Sequence, residues 1–111
     1  MEIQRKVAEQ AVIVAVIGSV DALTSPELSG EFSAQIAANQ VKIVLDLSQV
    51  DFMSSAGLRA LLNGLKDTRQ ASGDLRLAAA KPGVTKVLKM SGFNTIIKTY
   101  ESVAEALASF A

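Results

Sequence analysis

The stretch that most constrains the fold of this chain is a buried strand followed by a helix. Residues Val41–Leu47 read VKIVLDL, an apolar and β-branched run that is typical of a buried strand. Asp51–Leu62 follows as DFMSSAGLRALL, and its leucines begin a spacing of three and four that continues to Leu65. That spacing predicts a helix from about Ala56 to Ala71.

Two adjacent hydroxyl side chains, Ser54 and Ser55, lie at the junction between this strand and this helix. The backbone N–H groups at a helix N-terminus lack partners, and the helix dipole favours negative charge there. A serine in this position is therefore either a helix cap or an acceptor of a phosphate group. The spacing alone leaves both interpretations open.

The composition bounds the classes of function. The 111 residues are enough for one domain, which we expect to span residues 1–111, and half of them are hydrophobic. Eleven basic residues balance eleven acidic ones, so no basic excess points to nucleic acid. The chain has no cysteine and no histidine, which removes the thiolate nucleophile, the usual general base and the commonest metal ligands. We expect no enzymatic activity, no metal and no cofactor.

The longest apolar run, Ala11–Ile17, is far shorter than the roughly 20 residues that a membrane helix needs. The N-terminal residues MEIQRKVAEQ are not followed by a signal-peptide core with a cleavage site. We therefore expect a soluble, cytoplasmic protein without direct membrane insertion.

The remaining elements follow from periodicity and from turn residues. We predict an opening hairpin and then alternating helices and strands, an order that gives an α/β fold with a mixed sheet. Three finer predictions are that Ala11–Ile17 is buried on both faces, that Gly18 ends this strand, and that Gly73 caps the long helix. The predicted strands are Ile3–Ala8, Ala11–Ile17, Val41–Leu47, Asp74–Ala80 and Ile96–Thr99, and the predicted helices are Pro26–Asn39, with Thr24 or Ser25 as its cap, Ala56–Ala71, Pro82–Met90 and Val103–Phe110.

Carboxylates are the remaining candidates for acid–base chemistry. The carboxylates considered for such pairs are Asp21, Asp46 and Asp51, with Glu27 near the first. Asp46 lies inside the apolar strand, and we expect it to point outward or to bond to backbone. The serine junction lacks both the frame of a nucleophile elbow and a glycine-rich phosphate loop.

Three segments, in this order and spacing, resemble the STAS domain family, the sulfate-transporter and anti-sigma-factor-antagonist domains. They are GSVDALTSPEL, IVLDLSQVDFMSSAGLRALL and KVLKMSGFNTIIKTYESVAEAL, and they cover essentially the whole chain. Within this family, the three segments most resemble those of the stand-alone bacterial anti-sigma factor antagonists. This resemblance implies a STAS-like fold with a mixed sheet of four to five strands and helices mainly on one face.

The resemblance also implies a function. Family members bind an anti-sigma factor that is also a serine kinase, and this binding frees the sigma factor. The kinase phosphorylates a serine that falls on Ser55 here, and a phosphatase resets the protein. Asp21 matches the acidic residue at the partner-binding end. The usual Asp before the acceptor is Ser54 in this chain, which makes Ser54 a rival acceptor.

We therefore expect partner contacts at the Asp21 loop, the serine junction and the exposed side of the next helix. The domain is expected to be a monomer or a weak dimer. The two other classes left open are a scaffold or transporter-associated STAS module without a phospho-switch, and an unrelated α/β domain that binds a small anion. The expected partner-binding residues are Asp21, Ser54, Ser55, Ala56, Gly57, Leu58, Arg59 and Asn63.

Overall fold

A computed structural model describes all residues from 1 to 111, and it contains five strands and four α-helices. The strands form one sheet in the order β1-β2-β3-β4-β5, with β1 antiparallel to β2 and every other pair parallel. The predicted α/β fold with a mixed sheet is thus confirmed. The elements are β1 Glu2–Val7, β2 Val12–Val20, α1 Ser25–Ala37, β3 Lys42–Met53, α2 Ser55–Gln70, β4 Asp74–Ala78, α3 Pro82–Met90, a 3₁₀ turn Phe93–Thr95, β5 Thr99–Tyr100 and α4 Val103–Ala108.

Three helices cover one face of the sheet, as expected from the resemblance. The main core joins side chains of α1, α2 and α3 to the alternate residues of β2, β3 and β4. Helix α4 lies on the opposite face, where Ala106 packs with Val44 of β3 and Ala78 of β4. Members of the main core include Val14, Val16, Leu28, Phe32, Leu45, Leu61, Leu65, Leu77, Val84 and Leu88.

Strands β2 and β3 are longer than the sequence predicts. We expected Gly18 to end β2, yet β2 continues to Val20, and β3 continues past Leu47 to Met53. Gly18 has a φ of 109°, a conformation that glycine adopts readily, and the register between the strands shifts on both sides of it. These irregularities allow the parallel pairing to resume instead of ending.

The outer face of β2 is only half-buried, so the prediction that this strand is buried on both faces is wrong. Ile13, Ala15 and Ile17 are partly exposed, whereas the residues between them are buried. The reason is that α4 covers β3 and β4 through Val44 and Ala78, while no helix covers β2 on that side.

Two local predictions in the second half of the chain are also wrong. Ser72, not Gly73, takes the left-handed conformation after α2, with a φ of 68°. Gly73 is required for space instead, because a Cβ there would overlap the backbone carbonyl of Val41. The fifth strand is Thr99–Tyr100 rather than Ile96–Thr99, since Ile96 closes the 3₁₀ turn before it.

We expect Gly73→Ala to destabilise the protein by about 1 to 3 kcal/mol, because the rigid backbone of Val41 cannot move away from the new methyl group. Gly30 is a matched control: it lies inside α1 and a Cβ there meets nothing within 4 Å. Gly30→Ala is expected to stabilise by up to about 1 kcal/mol through helix propensity. Urea unfolding of both variants measures the difference, and equal effects would contradict the packing argument.

An ion pair that the sequence pattern does not reveal joins the edge strand to the helical layer. Arg5 of β1 donates from Nε to Oε2 of Glu31 on α1 at 3.0 Å, and Arg5 Nη2 donates to Oε1 of the same carboxylate. The Glu31 side chain is only 8% exposed. Hydrogen bonds from Arg5, opposed by burial and assisted by Gln35, hold the pKa of Glu31 below its ordinary value.

Because the pKa of Glu31 is lowered in the folded state, its carboxylate stabilises the fold above the ordinary glutamate pKa of about 4.3. This stabilisation is lost as the pH falls through the folded-state value. We therefore expect Glu31→Gln to cost about 1 kcal/mol near pH 7, a small figure because solvent screens the half-exposed Arg5. The unfolding free energies of the two proteins should approach each other as the pH falls below the ordinary glutamate pKa of about 4.3 and through the lower folded-state value. A cost independent of pH would contradict the ionic origin.

Candidate functional site

The candidate site lies where the parallel strands β2 and β3 end beside each other. Val20 and Met53, the last residues of the two strands, are register partners. The backbone N–H of Ser54 donates to the carbonyl of Val20 at 2.9 Å. This pairing brings the loop that starts at Asp21 next to the start of α2, as the expected partner-binding surface requires.

The two serines of the junction have different structural roles. Ser54 is the N-cap of α2, with an extended backbone, and its Oγ accepts the N–H of Gly57 at 3.3 Å. Ser55 is the first helical residue, one position earlier than predicted. Its side chain is exposed and makes no hydrogen bond within the protein. The capping role therefore belongs to Ser54, and the Ser55 hydroxyl is free.

The loop after β2 is held by the Asp21 carboxylate. Asp21 Oδ1 accepts the N–H of Leu23 at 2.9 Å and the N–H of Thr24 at 3.1 Å. The Thr24 hydroxyl donates to the carbonyl of Ser19 at 2.9 Å. The Thr24 N–H above all holds the pKa of Asp21 below its ordinary value, despite some opposing desolvation. At neutral pH this loop therefore presents a fixed negative charge.

Two residues of the expected contact set are buried beneath the site. A Cβ on Gly57 would lie 2.5 Å from Met53 Sδ and 2.9 Å from Val20 Cγ1, so glycine lets α2 approach the strand ends closely. Leu58 is 8% exposed and belongs to the main core. We expected both residues to belong to the partner-binding surface, but both side-chain positions face the interior. The half-exposed Ala56 is the small residue at the surface.

The exposed side of α2 continues the surface away from the junction. Ser55, Arg59 and Asn63 are separated by four residues each, a spacing that keeps them on one face of a helix, and all three are exposed. Arg59 belongs to none of the four ion pairs of the protein. The surface therefore has a free cation one helical turn after the free hydroxyl.

Asp46 and Asp51, two of the carboxylates that we considered for acid–base chemistry, have structural partners. Asp46 is half-buried, and its Oδ1 accepts the backbone N–H of Ser48 at 3.0 Å, as expected for a backbone-bonded residue. Asp51 accepts from Lys81 Nζ at 2.7 Å, which links the end of β3 to the start of α3. Nothing in the sequence spacing signals this second contact, because the two residues are 30 positions apart.

Comparison with known proteins places the chain in a family. The model of the STAS domain matches residues 2–106, and the chain belongs to the STAS domain family. BtrV of Bordetella bronchiseptica, which carries the name of an anti-sigma factor antagonist, is 39% identical over 93 residues. That match covers 84% of this chain and 80% of BtrV.

Solved structures have the same fold. An anti-sigma factor antagonist structure from Thermotoga maritima superposes with a TM-score of 0.91 at 23% identity, over 97% of this chain and 93% of that one. The Bacillus cell fate determinant SpoIIAA in its phosphorylated form gives a TM-score of 0.74 at 20% identity, over 99% and 100% of the two chains. No helix in this fold has both the length and the apolar character needed to cross a bilayer.

The different roles of the two serines lead to a stability prediction. Ser54→Ala removes the only side-chain cap of α2 and should lower the free energy of unfolding by about 1 kcal/mol. Ser55→Ala removes an unbonded, exposed hydroxyl and should change it by less than about 0.5 kcal/mol. Thermal or urea unfolding of the two variants checks this, and a larger loss for Ser55→Ala would contradict the cap assignment.

Proposed function

We propose that this protein is an anti-sigma factor antagonist of the cytoplasm that is controlled by phosphorylation of Ser55. When unphosphorylated, it binds an anti-sigma factor that is also a serine kinase, and the sigma factor is released. A phosphatase restores the binding form. The observation that carries the proposal is the free, exposed Ser55 hydroxyl beside the ionised Asp21 loop.

The chemistry of the junction favours a switch in binding over a switch in folding. A phosphate on Ser55 adds about −1.5 to −2 charges at the positive end of the α2 dipole, which tolerates them. The first N–H groups of α2 have no carbonyl acceptor within the helix and can bond to phosphate oxygens. The fold therefore survives modification, while the surface beside Asp21 becomes far more negative and bulkier.

Ser55 is the better acceptor of the two junction serines. The Ser54 oxygen already accepts the N–H of Gly57, and its modification would disturb the cap of α2. The Ser55 hydroxyl makes no hydrogen bond within the protein, so its modification would not disturb the cap. The replacement of the family's usual Asp by Ser54 keeps the cap, because Ser and Asp are similarly favoured there. It removes one negative charge next to the acceptor.

The proposed contact surface consists of side chains that solvent reaches. Asp21 supplies a negative charge, Arg59 a positive charge and Asn63 an amide, around the half-exposed Ser54 and Ala56. Gly57 and Leu58 support this surface from below. We infer binding and not catalysis, because the chain lacks histidine and cysteine and its relative BtrV is named for an antagonist role.

The switch can be tested with the purified anti-sigma factor kinases encoded in the source genome and with ATP. We expect one phosphate on the wild type and on Ser54→Ala, and none on Ser55→Ala, by mass spectrometry of the intact protein. The unphosphorylated wild type and Ser55→Ala should bind the kinase, while the phosphorylated wild type should bind at least about tenfold more weakly because a dianion opposes docking. Calorimetry measures both Kd values.

Two outcomes would contradict the proposal. A phosphate that persists in Ser55→Ala and disappears in Ser54→Ala would move the acceptor to Ser54. Binding to none of these kinases would reject the antagonist role and favour a scaffold or transporter-associated module. Equal unfolding temperatures for the phosphorylated and unphosphorylated forms are the required control, since they show that lost binding is not lost folding.

A further inference from the structure

A fully exposed leucine stands in the loop of the candidate site. Leu23 is 91% exposed, more than any other large hydrophobic residue of the protein, and Phe52 near the junction is 53% exposed. Single exposed apolar residues are common on protein surfaces. The place and rigidity of Leu23, and not its exposure alone, therefore decide what it means.

The backbone of Leu23 is fixed although its side chain contacts solvent. Its N–H donates to Asp21 Oδ1 at 2.9 Å, and the next residue, Thr24, is bonded to both Asp21 and Ser19. The loop thus presents Leu23 in one backbone conformation on the free protein. A residue whose backbone is fixed in this way loses little backbone freedom on binding, so a smaller ordering cost opposes its docking.

Phe52 lies at the base of the same loop. It is the register partner of Ser19 across the β2–β3 pairing, and the Ser19 carbonyl accepts the Thr24 hydroxyl. Phe52 also precedes the cap residue Ser54 by two positions. Leu23 and Phe52 therefore both lie where β2 and β3 end, and this is also where Ser55 is exposed.

We propose that Leu23 is an apolar anchor that inserts into a hydrophobic pocket of the anti-sigma factor kinase, and that Phe52 packs at the rim of that pocket. This inference rests on the proposed function and adds the chemistry of the partner: its contact surface carries a leucine-sized apolar pocket beside the region that approaches Ser55. The charge at Ser55 then decides whether docking occurs, and Leu23 supplies affinity.

The experiment uses the full chain and the purified anti-sigma factor kinase that binds the unphosphorylated wild type. Leu23→Ala should weaken binding about tenfold or more, as truncation of a buried anchor does. Leu23→Met should retain binding within about threefold, because a flexible apolar side chain can fill the same pocket. The matched control is Met90→Ala. Met90 is another exposed large hydrophobic residue, 79% exposed at the end of α3 and outside the expected contact set, so its truncation should leave the Kd unchanged.

Calorimetry at several temperatures adds a second measurement. Loss of an apolar anchor should make the heat-capacity change of binding less negative in Leu23→Ala and should leave it unchanged in Met90→Ala. Equal unfolding temperatures of the variants are expected, because Leu23 is 91% exposed and buries little apolar area in the folded protein.

The outcomes separate this inference from the function on which it rests. If the wild type binds a kinase and Leu23→Ala binds as tightly as Met90→Ala, the anchor is overturned and the antagonist role stands. If Leu23→Ala and Leu23→Met lose affinity equally, the proposal that Leu23 fills an apolar pocket is overturned. If the wild type binds none of the kinases, the proposed function fails and the inference fails with it.

Discussion

The parallel pairing of β2 with β3 is the constraint on which the rest of the site depends. Because both strands run on past the bulges at Gly18, Val20 and Met53 end at the same level of the sheet. The bond from the Ser54 N–H to the Val20 carbonyl then fixes the start of α2 against the loop that begins at Asp21. Two segments more than 30 residues apart in the chain thereby become one surface.

The sequence predicts best where a single local period decides the structure. The leucine spacing identifies α2 because its apolar face packs on the sheet, and Thr24 to Pro26 give the start of α1. It fails where pairing across the sheet decides. A glycine at position 18 is typical of a strand end, but pairing with β3 lets β2 continue past it. A glycine at position 73 is typical of a helix cap, but glycine is needed there because the backbone of Val41 comes too close for a side chain.

The candidate site shows the same limit. A serine pair before a helical period indicates a cap, yet which serine caps depends on where the strand ends, and this is set by a partner strand. The burial of Leu58 follows from the helical period, whereas that of Gly57 requires knowledge of Val20 and Met53. Exposure of Leu23 has no sequence signature, because apolar residues occur both in the core and singly on the surface.

In the proposed switch, Ser54 and Ser55 have separate roles, and this separation would let one surface be both rigid and switchable. Ser54 and Asp21 use their oxygens to hold backbone N–H groups, so the surface exists before a partner arrives and little ordering entropy opposes docking. Ser55 contributes nothing to that framework and can change its charge freely. Because the Asp21 loop and the start of α2 are held by these hydrogen bonds, a phosphate on Ser55 would lie on the exposed surface next to them. In the proposed switch, the electrostatic and steric cost of this phosphate would then fall on the incoming partner and not on the fold.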